Sequence, residues 1–95
     1  MMERMTYPVA ELEEKHLISI LMFLLDNGPS RKTDVYDGVS TNPRMNLKVQ
    51  HLEAMGLINL EYNNALRSTV VTLTDAGRRI AEHLVVIESI LRSVQ

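Results

Sequence analysis

Few side chains in this sequence are equipped for bond chemistry. There is no cysteine, which removes thiolate nucleophiles, disulfides and every Cys-based zinc site. The three histidines, His16, His51 and His83, fall on three different predicted helices. No two of them have a metal-ligand spacing, and no HExxH occurs. A phosphate-binding glycine loop, a GxSxG elbow and a carboxylate pair in an apolar setting are all missing. Glu13 and Glu14 read as solvated charges. The six methionines, Met22, Met45 and Met55 among them, read as core filler. No catalytic residue, metal or cofactor is assigned, and an enzyme is not expected. What remains is a set of hydrogen-bonding side chains gathered in one stretch: Ser30, Arg31, Lys32, Arg44, Asn46, Lys48, Gln50 and His51.

The elements that hold this set follow from length and patterning. Ninety-five residues allow one small domain, whose marginal core makes association a common remedy. An apolar fraction of 45% against 23% charged fits a globular chain. The longest apolar run, residues 17–25, is under half of the roughly 20 residues a bilayer span requires. Acidic residues precede it and no small-x-small cleavage site follows, so neither a membrane nor a secretory route is expected.

A first helix is predicted over residues 9–27, from Leu12, Leu17, Ile20, Leu21, Leu24 and Leu25 at helical spacing, with Gly28 and Pro29 ending it. A second, over 31–38, has Ser30 as its N-cap and Val35 and Val39 inward. A third starts from Asn42 as N-cap and Pro43 at N1 and runs to Met55, with Met45, Val49 and Leu52 as its inward stripe. Strands over 57–62 and 68–73 form a hairpin around 63–67, where Asn63 and Asn64 accept left-handed conformations. A fourth helix, capped by Thr74, begins at Asp75 and runs to near residue 95. The fold class is therefore mainly α with a small β-hairpin wing (α+β), a helix-turn-helix followed by a wing. The expected division is an arm over 1–8, a compact unit over 9–73 and a separate helix over 74–95.

Two segments carry a resemblance. Residues 45–58, with Leu52-Glu53 and Gly56-Leu57-Ile58 at their end, resemble the recognition helix and the turn into the first wing strand of winged helix-turn-helix regulators. Leu73-Thr74-Asp75-Ala76-Gly77-Arg78 resembles the passage from the second wing strand into the next helix of MarR-like and PadR-like proteins. Small archaeal winged-helix proteins with a coiled-coil C-terminal helix are similar in length and layout. The resemblance covers about residues 11–95 and implies a transcriptional regulator that binds double-stranded DNA.

On that fold the outward face of the third helix enters the major groove. Opposite Met45, Val49 and Leu52 lie Pro43, Leu47, Gln50 and Ala54, flanked by Arg44, Asn46 and His51, with Lys48 nearer the core edge. Arg44 can fork onto guanine, and Asn46 or Gln50 onto adenine. Leu47 is apolar where water is expected and can meet a thymine methyl or a protein partner. Ser30, Arg31 and Lys32, at the start of the second helix, suit phosphates. Arg67 beside the hairpin suits the minor groove. Residues 28–51 carry Arg31, Lys32, Arg44 and Lys48 against Asp34 and Asp37, whereas 9–27 carry Glu11, Glu13, Glu14 and Asp26 against Lys15. The net charge of −2 means that any such role depends on local charge.

In the last helix Ile80, Leu84, Ile87, Leu91 and Val94 repeat as a heptad seam, widened by Val85, Val86 and Ile90. A small domain cannot cover all of it, so a homodimer is expected through Ile80, Leu84, Ile87, Ile90, Leu91 and Val94, parallel or antiparallel. No residue pattern supports a small-molecule effector. Were one to bind, it would sit between the last helix and the core near Phe23, Tyr36 or His83. A cytoplasmic, nucleoid-associated location follows from this reading. Two rival functions stay open: a winged-helix module for protein contact without DNA binding, and a weakly selective chromatin protein.

Overall fold

A computed structural model describes residues 7–95. Of the expected arm only Tyr7 and Pro8 fall within this range; Tyr7 is extended and Pro8 opens a short 3-10 helix, Pro8–Glu13. The elements that follow are α1 (Leu17–Asn27), β1 (Ser30–Arg31), α2 (Lys32–Val39), α3 (Met45–Ala54), β2 (Ile58–Asn63), β3 (Ser68–Leu73) and α4 (Asp75–Ser93). The strands form one antiparallel sheet in the order β1-β3-β2.

The first helix is not continuous over 9–27. Glu14 is extended and His16 is left-handed, with φ 77°, before α1 begins. The reason lies in the phase of the leucines. Leu17, Ile20, Leu21 and Leu24 form the fully buried stripe of α1. At 3.6 residues per turn, Leu12 in the same helix would point about 130° away from the centre of that stripe. Breaking the helix lets Leu12 reach the core, where it is 8% exposed.

The core joins this stripe to Val35 of α2, Met45, Val49 and Leu52 of α3, Leu57, Ile58, Val71 of β3 and Ala81 of α4. The hairpin has the predicted facing: Ile58 pairs with Leu73, Leu60 with Val71 and Tyr62 with Thr69. The third strand was not expected. Ser30 and Arg31 pair with Val71 and Val70, so α2 starts one residue later than predicted, with Arg31 rather than Ser30 at its N-cap. The left-handed residue of the hairpin is Arg67, φ 52°, and not Asn63 or Asn64. Asn63 acts through its side chain instead, its Oδ1 accepting from the Leu66 N–H at 2.9 Å.

Thr74 fastens α4 to the turn after α3. Its hydroxyl donates to the Gly56 carbonyl at 2.7 Å and accepts from the Gly77 N–H at 3.0 Å, while its own N–H donates to the Leu57 carbonyl at 3.0 Å. Gly77 is buried directly against Leu57, and a Cβ there would overlap the Leu57 carbonyl oxygen. Alanine in place of glycine within a helix ordinarily stabilises by up to about 1 kcal/mol. Here the sign reverses. Gly77→Ala is expected to lower the unfolding free energy by about 1–3 kcal/mol, the range for overpacked sites, read from the urea midpoint. A stabilised variant would contradict this packing.

Candidate nucleic-acid interface

The face of α3 is set by what its other side buries. Met45, Val49 and Leu52 are at most 1% exposed, which turns Arg44, Asn46, Leu47 and Gln50 to the outside, all exposed. Pro43 and Ala54 lie exposed at the two ends of this face. The helix starts later than the sequence indicates, at Met45 with Arg44 as N-cap. Asn42 still organises the turn: its Oδ1 accepts from the Arg44 N–H at 2.8 Å, and its own N–H donates to Ser40 Oγ at 3.1 Å. Residues 40–44 therefore form an ordered connection between α2 and α3. Among the described residues, Arg44 and Arg67 make no ion pair.

Three expected members of the interface stand elsewhere. Ser30 is buried in β1, its hydroxyl donating to the Gly28 carbonyl at 2.9 Å. Lys48 is only 9% exposed, and its Nζ lies 3.3 Å from Glu14 Oε2. His51 is held at both nitrogens, Nδ1 at 2.7 Å from Glu14 Oε1 and Nε2 at 2.8 Å from Glu11 Oε1. Lys48 and His51 close on the acidic segment that precedes α1, so they leave the outward face, while Ser30 stays beside Arg31 at the start of α2. Arg31 keeps an exposed position but is shared, its guanidinium donating twice to Asp34 at 3.1 and 3.2 Å. That pair raises the Arg31 pKa and lowers that of Asp34. Arg31 and Asp34 also line a cleft of about 410 Å³ with Asn63, Leu66 and Val70, so the start of α2 and the hairpin tip share one edge. Lys32 is half-buried and Arg67 exposed.

The contacts of His51 fix its charge. A neutral imidazole carries one N–H, whereas both ring nitrogens here meet carboxylate oxygens. Only the imidazolium can donate to both. The carboxylates accordingly raise the His51 pKa above its ordinary 6.5, Glu11 contributing most and Glu14 next. Glu14 is lowered below 4.5, chiefly by the hydrogen bond from His51; burial opposes this, and Lys48 adds to the lowering. The sequence carried a signal for this clamp: Glu11 and Glu14 have the same spacing as Lys48 and His51. Despite the cluster, no group of three or more such side chains among the described residues is arranged to hold a metal ion.

The last helix divides as its length requires. Gly77 and Ala81 are buried, and Ile80 and Leu84 are partly buried against the core. Beyond them Ile87, Ile90 and Leu91 are at least half exposed, and Val94 is 74% exposed. A cleft of about 480 Å³ runs between α1 and α4, lined by Ile18, Met22, Phe23, Leu84, Ile87 and Leu91 among others. Phe23 lies there as expected, but Tyr36 and His83 do not; His83 lines a separate depression with Ala76, Arg79 and Ile80. No helix among the described residues is long and apolar enough to cross a membrane.

No family model and no curated protein matches this sequence. Solved structures do. BpsR of Bordetella bronchiseptica, whose DNA binding is regulated by 6-hydroxynicotinic acid, aligns with TM-score 0.71 and 27% identity over 90% of this chain and 63% of its own. This chain thus spans less than two thirds of the length of BpsR. A transcriptional regulator homologue from Pyrococcus horikoshii aligns with TM-score 0.66 and 21% identity over 92% of this chain and 96% of its own. AbfR, in its reduced form bound to DNA, aligns with TM-score 0.63 and 20% identity over 79% of this chain and 57% of its own. The fold is the winged helix-turn-helix, as the two sequence segments imply.

The clamp makes stability depend on pH with a definite sign. A raised His51 pKa contributes fully below 6.5, the ordinary value, and its contribution is lost as pH rises through the folded-state value. A lowered Glu14 pKa contributes above 4.5, the ordinary value, and is lost as pH falls through the folded-state value. The clamp is therefore strongest between these limits. Denaturant midpoints of the wild type and His51→Gln should differ most between these limits, and the gap should narrow as pH rises through the folded-state His51 value. A gap that does not change with pH would contradict the imidazolium assignment.

Proposed function

We propose that this chain is a homodimeric, sequence-specific double-stranded DNA-binding protein that acts as a transcriptional regulator. In this reading residues 9–73 form the DNA-binding unit and 74–95 the dimerisation helix. The observation that carries it is the outward side of α3, where Arg44, Asn46, Leu47 and Gln50 stand exposed in one patch on a winged helix-turn-helix. Arg44, Asn46 and Gln50 have the donor and acceptor sets that pair with guanine and adenine edges in the major groove. Lys32, Arg31 and the exposed Arg67 supply charge for phosphates or for the minor groove. Lys48, His51 and Ser30 hold the scaffold and are not assigned to DNA. BpsR and AbfR, with the same fold, bind DNA, and the Pyrococcus chain of matching length is a transcriptional regulator homologue.

The second copy covers the apolar end of α4. Val86, Ile87, Ile90, Leu91 and Val94 form a contiguous exposed strip that continues into the cleft against α1. A strip of this kind on a monomer would be an unusually large apolar patch, and the heptad spacing suits packing against an identical helix. A two-fold axis there gives two α3 helices for half-sites about one DNA turn apart.

Duplexes selected from a random pool should bind with an affinity that falls steeply with salt. Arg44→Ala should relax base preference by about five- to 150-fold at one position, the worth of a bidentate base contact. Lys32→Ala should weaken all sequences alike and lower the salt slope by about one. Binding that is indifferent to both substitutions would exclude this docking. In parallel, sedimentation should give a dimer for the wild type and a monomer for Leu91→Glu, with weaker DNA binding by the monomer. An unchanged dimer would move the interface off α4.

A further inference from the structure

Leu47 is the one large apolar side chain on a face otherwise made for hydrogen bonding. It is 51% exposed and lies near the centre of the outward side of α3, with Arg44 three residues before it and Gln50 three after. At that spacing the three side chains are neighbours on the helix surface. The Leu47 N–H donates to the Arg44 carbonyl at 3.0 Å, so the residue belongs to the first turn of α3. In helix-turn-helix docking, the N-terminal residues of this helix meet the bases.

The other large exposed apolar residues lie on other parts of the chain. They are Tyr7 and Val9 at the start, Ile18 on α1, Tyr62 and Leu66 on the hairpin, and Val85 with the strip on α4. On the α3 face only Pro43 and Ala54 accompany Leu47, at its two ends. A specific protein–protein interface takes about 800 Å² from each partner, far more than one half-exposed leucine supplies. A leucine has no hydrogen-bonding group for a base or a phosphate. The major groove offers one matching feature, the C5 methyl of thymine.

We infer that Leu47 is a specificity-determining residue that packs on a thymine methyl, so that each half-site of the DNA target carries a thymine between the base pairs read by Arg44 and Gln50. This rests on the DNA-binding reading given above and adds the chemistry of one base position to it. The methyl is the part of thymine that cytosine and uracil lack, so the contact discriminates by apolar burial alone. Burial of one methyl corresponds to about a three- to fivefold change in affinity.

The test uses a duplex enriched from a random pool by the wild-type protein. Each thymine is replaced in turn by uracil, which keeps Watson–Crick pairing and removes only the methyl. Uracil at one symmetric position should weaken binding about three- to fivefold per half-site, and uracil elsewhere should change little. Leu47→Ala should bind the thymine and uracil duplexes equally, and its unchanged thermal transition would exclude a folding defect. Enrichment without any methyl-sensitive position, or a methyl effect that persists undiminished in Leu47→Ala, overturns this inference and leaves DNA reading by α3 standing. Failure of any duplex to enrich overturns both.

Discussion

Burial of Met45, Val49 and Leu52 against the α1 stripe fixes the rotation of α3, and through it the rest of the interface. Leu17, Ile20, Leu21 and Leu24 share one buried core with that side. Turning α3 by one residue, about 100°, would carry Asn46 and Gln50 toward the core without partners and expose Met45. Buried amides left without hydrogen bonds cost about 1–3 kcal/mol each, so the helix has one stable setting. The same logic operates on α4. Gly77 and Ala81 let its first turns approach Leu57 and the core closely. The helix then extends beyond anything its own domain can cover, and its apolar strip runs on to Val94.

Charge on this chain is partitioned rather than abundant. The net value is −2, and several cations near α3 are already engaged. Glu14 holds Lys48 and His51, Glu11 holds His51, and Asp34 holds Arg31. The acidic segment before α1 thus works as a brace on the flank of α3 and keeps its own charge away from the outward side. Of the cations assigned to the candidate interface, Lys32, Arg44 and Arg67 make no ion pair among the described residues. In the proposed reading, so few interface cations leave affinity to base contacts and to two copies acting together, rather than to bulk attraction to phosphate.

Much of this arrangement was legible in the residues because local pattern and tertiary packing agree. Thr74 at the start of α4, the facing of Ile58, Leu60 and Tyr62, and the inward stripe of α3 follow from periodicity and capping alone. The departures occur where long-range contacts decide. Leu12 forms a helical pattern with the residues after it but is out of phase with the α1 stripe, and the core breaks the helix at His16. Ser30 has the chemistry of an N-cap, yet pairing with Val71 draws it into a strand too short to show any alternation. Asn63 and Asn64 are the expected left-handed residues, but Asn63 caps Leu66 through its side chain and Arg67 takes the positive φ. The matched spacing of Glu11 and Glu14 with Lys48 and His51 was visible. Their meeting depended on the break before α1, which local pattern did not reveal.

In the proposed reading the outward side of α3 is the surface that meets DNA. Amide and side-chain resonances of the isotope-labelled protein, followed during titration with an enriched duplex, test this residue by residue. The largest perturbations are predicted at Arg44, Asn46, Leu47 and Gln50, with smaller ones at Lys32 and Arg67 and none along residues 86–94. Perturbations confined to that last stretch, with α3 unmoved, would contradict it.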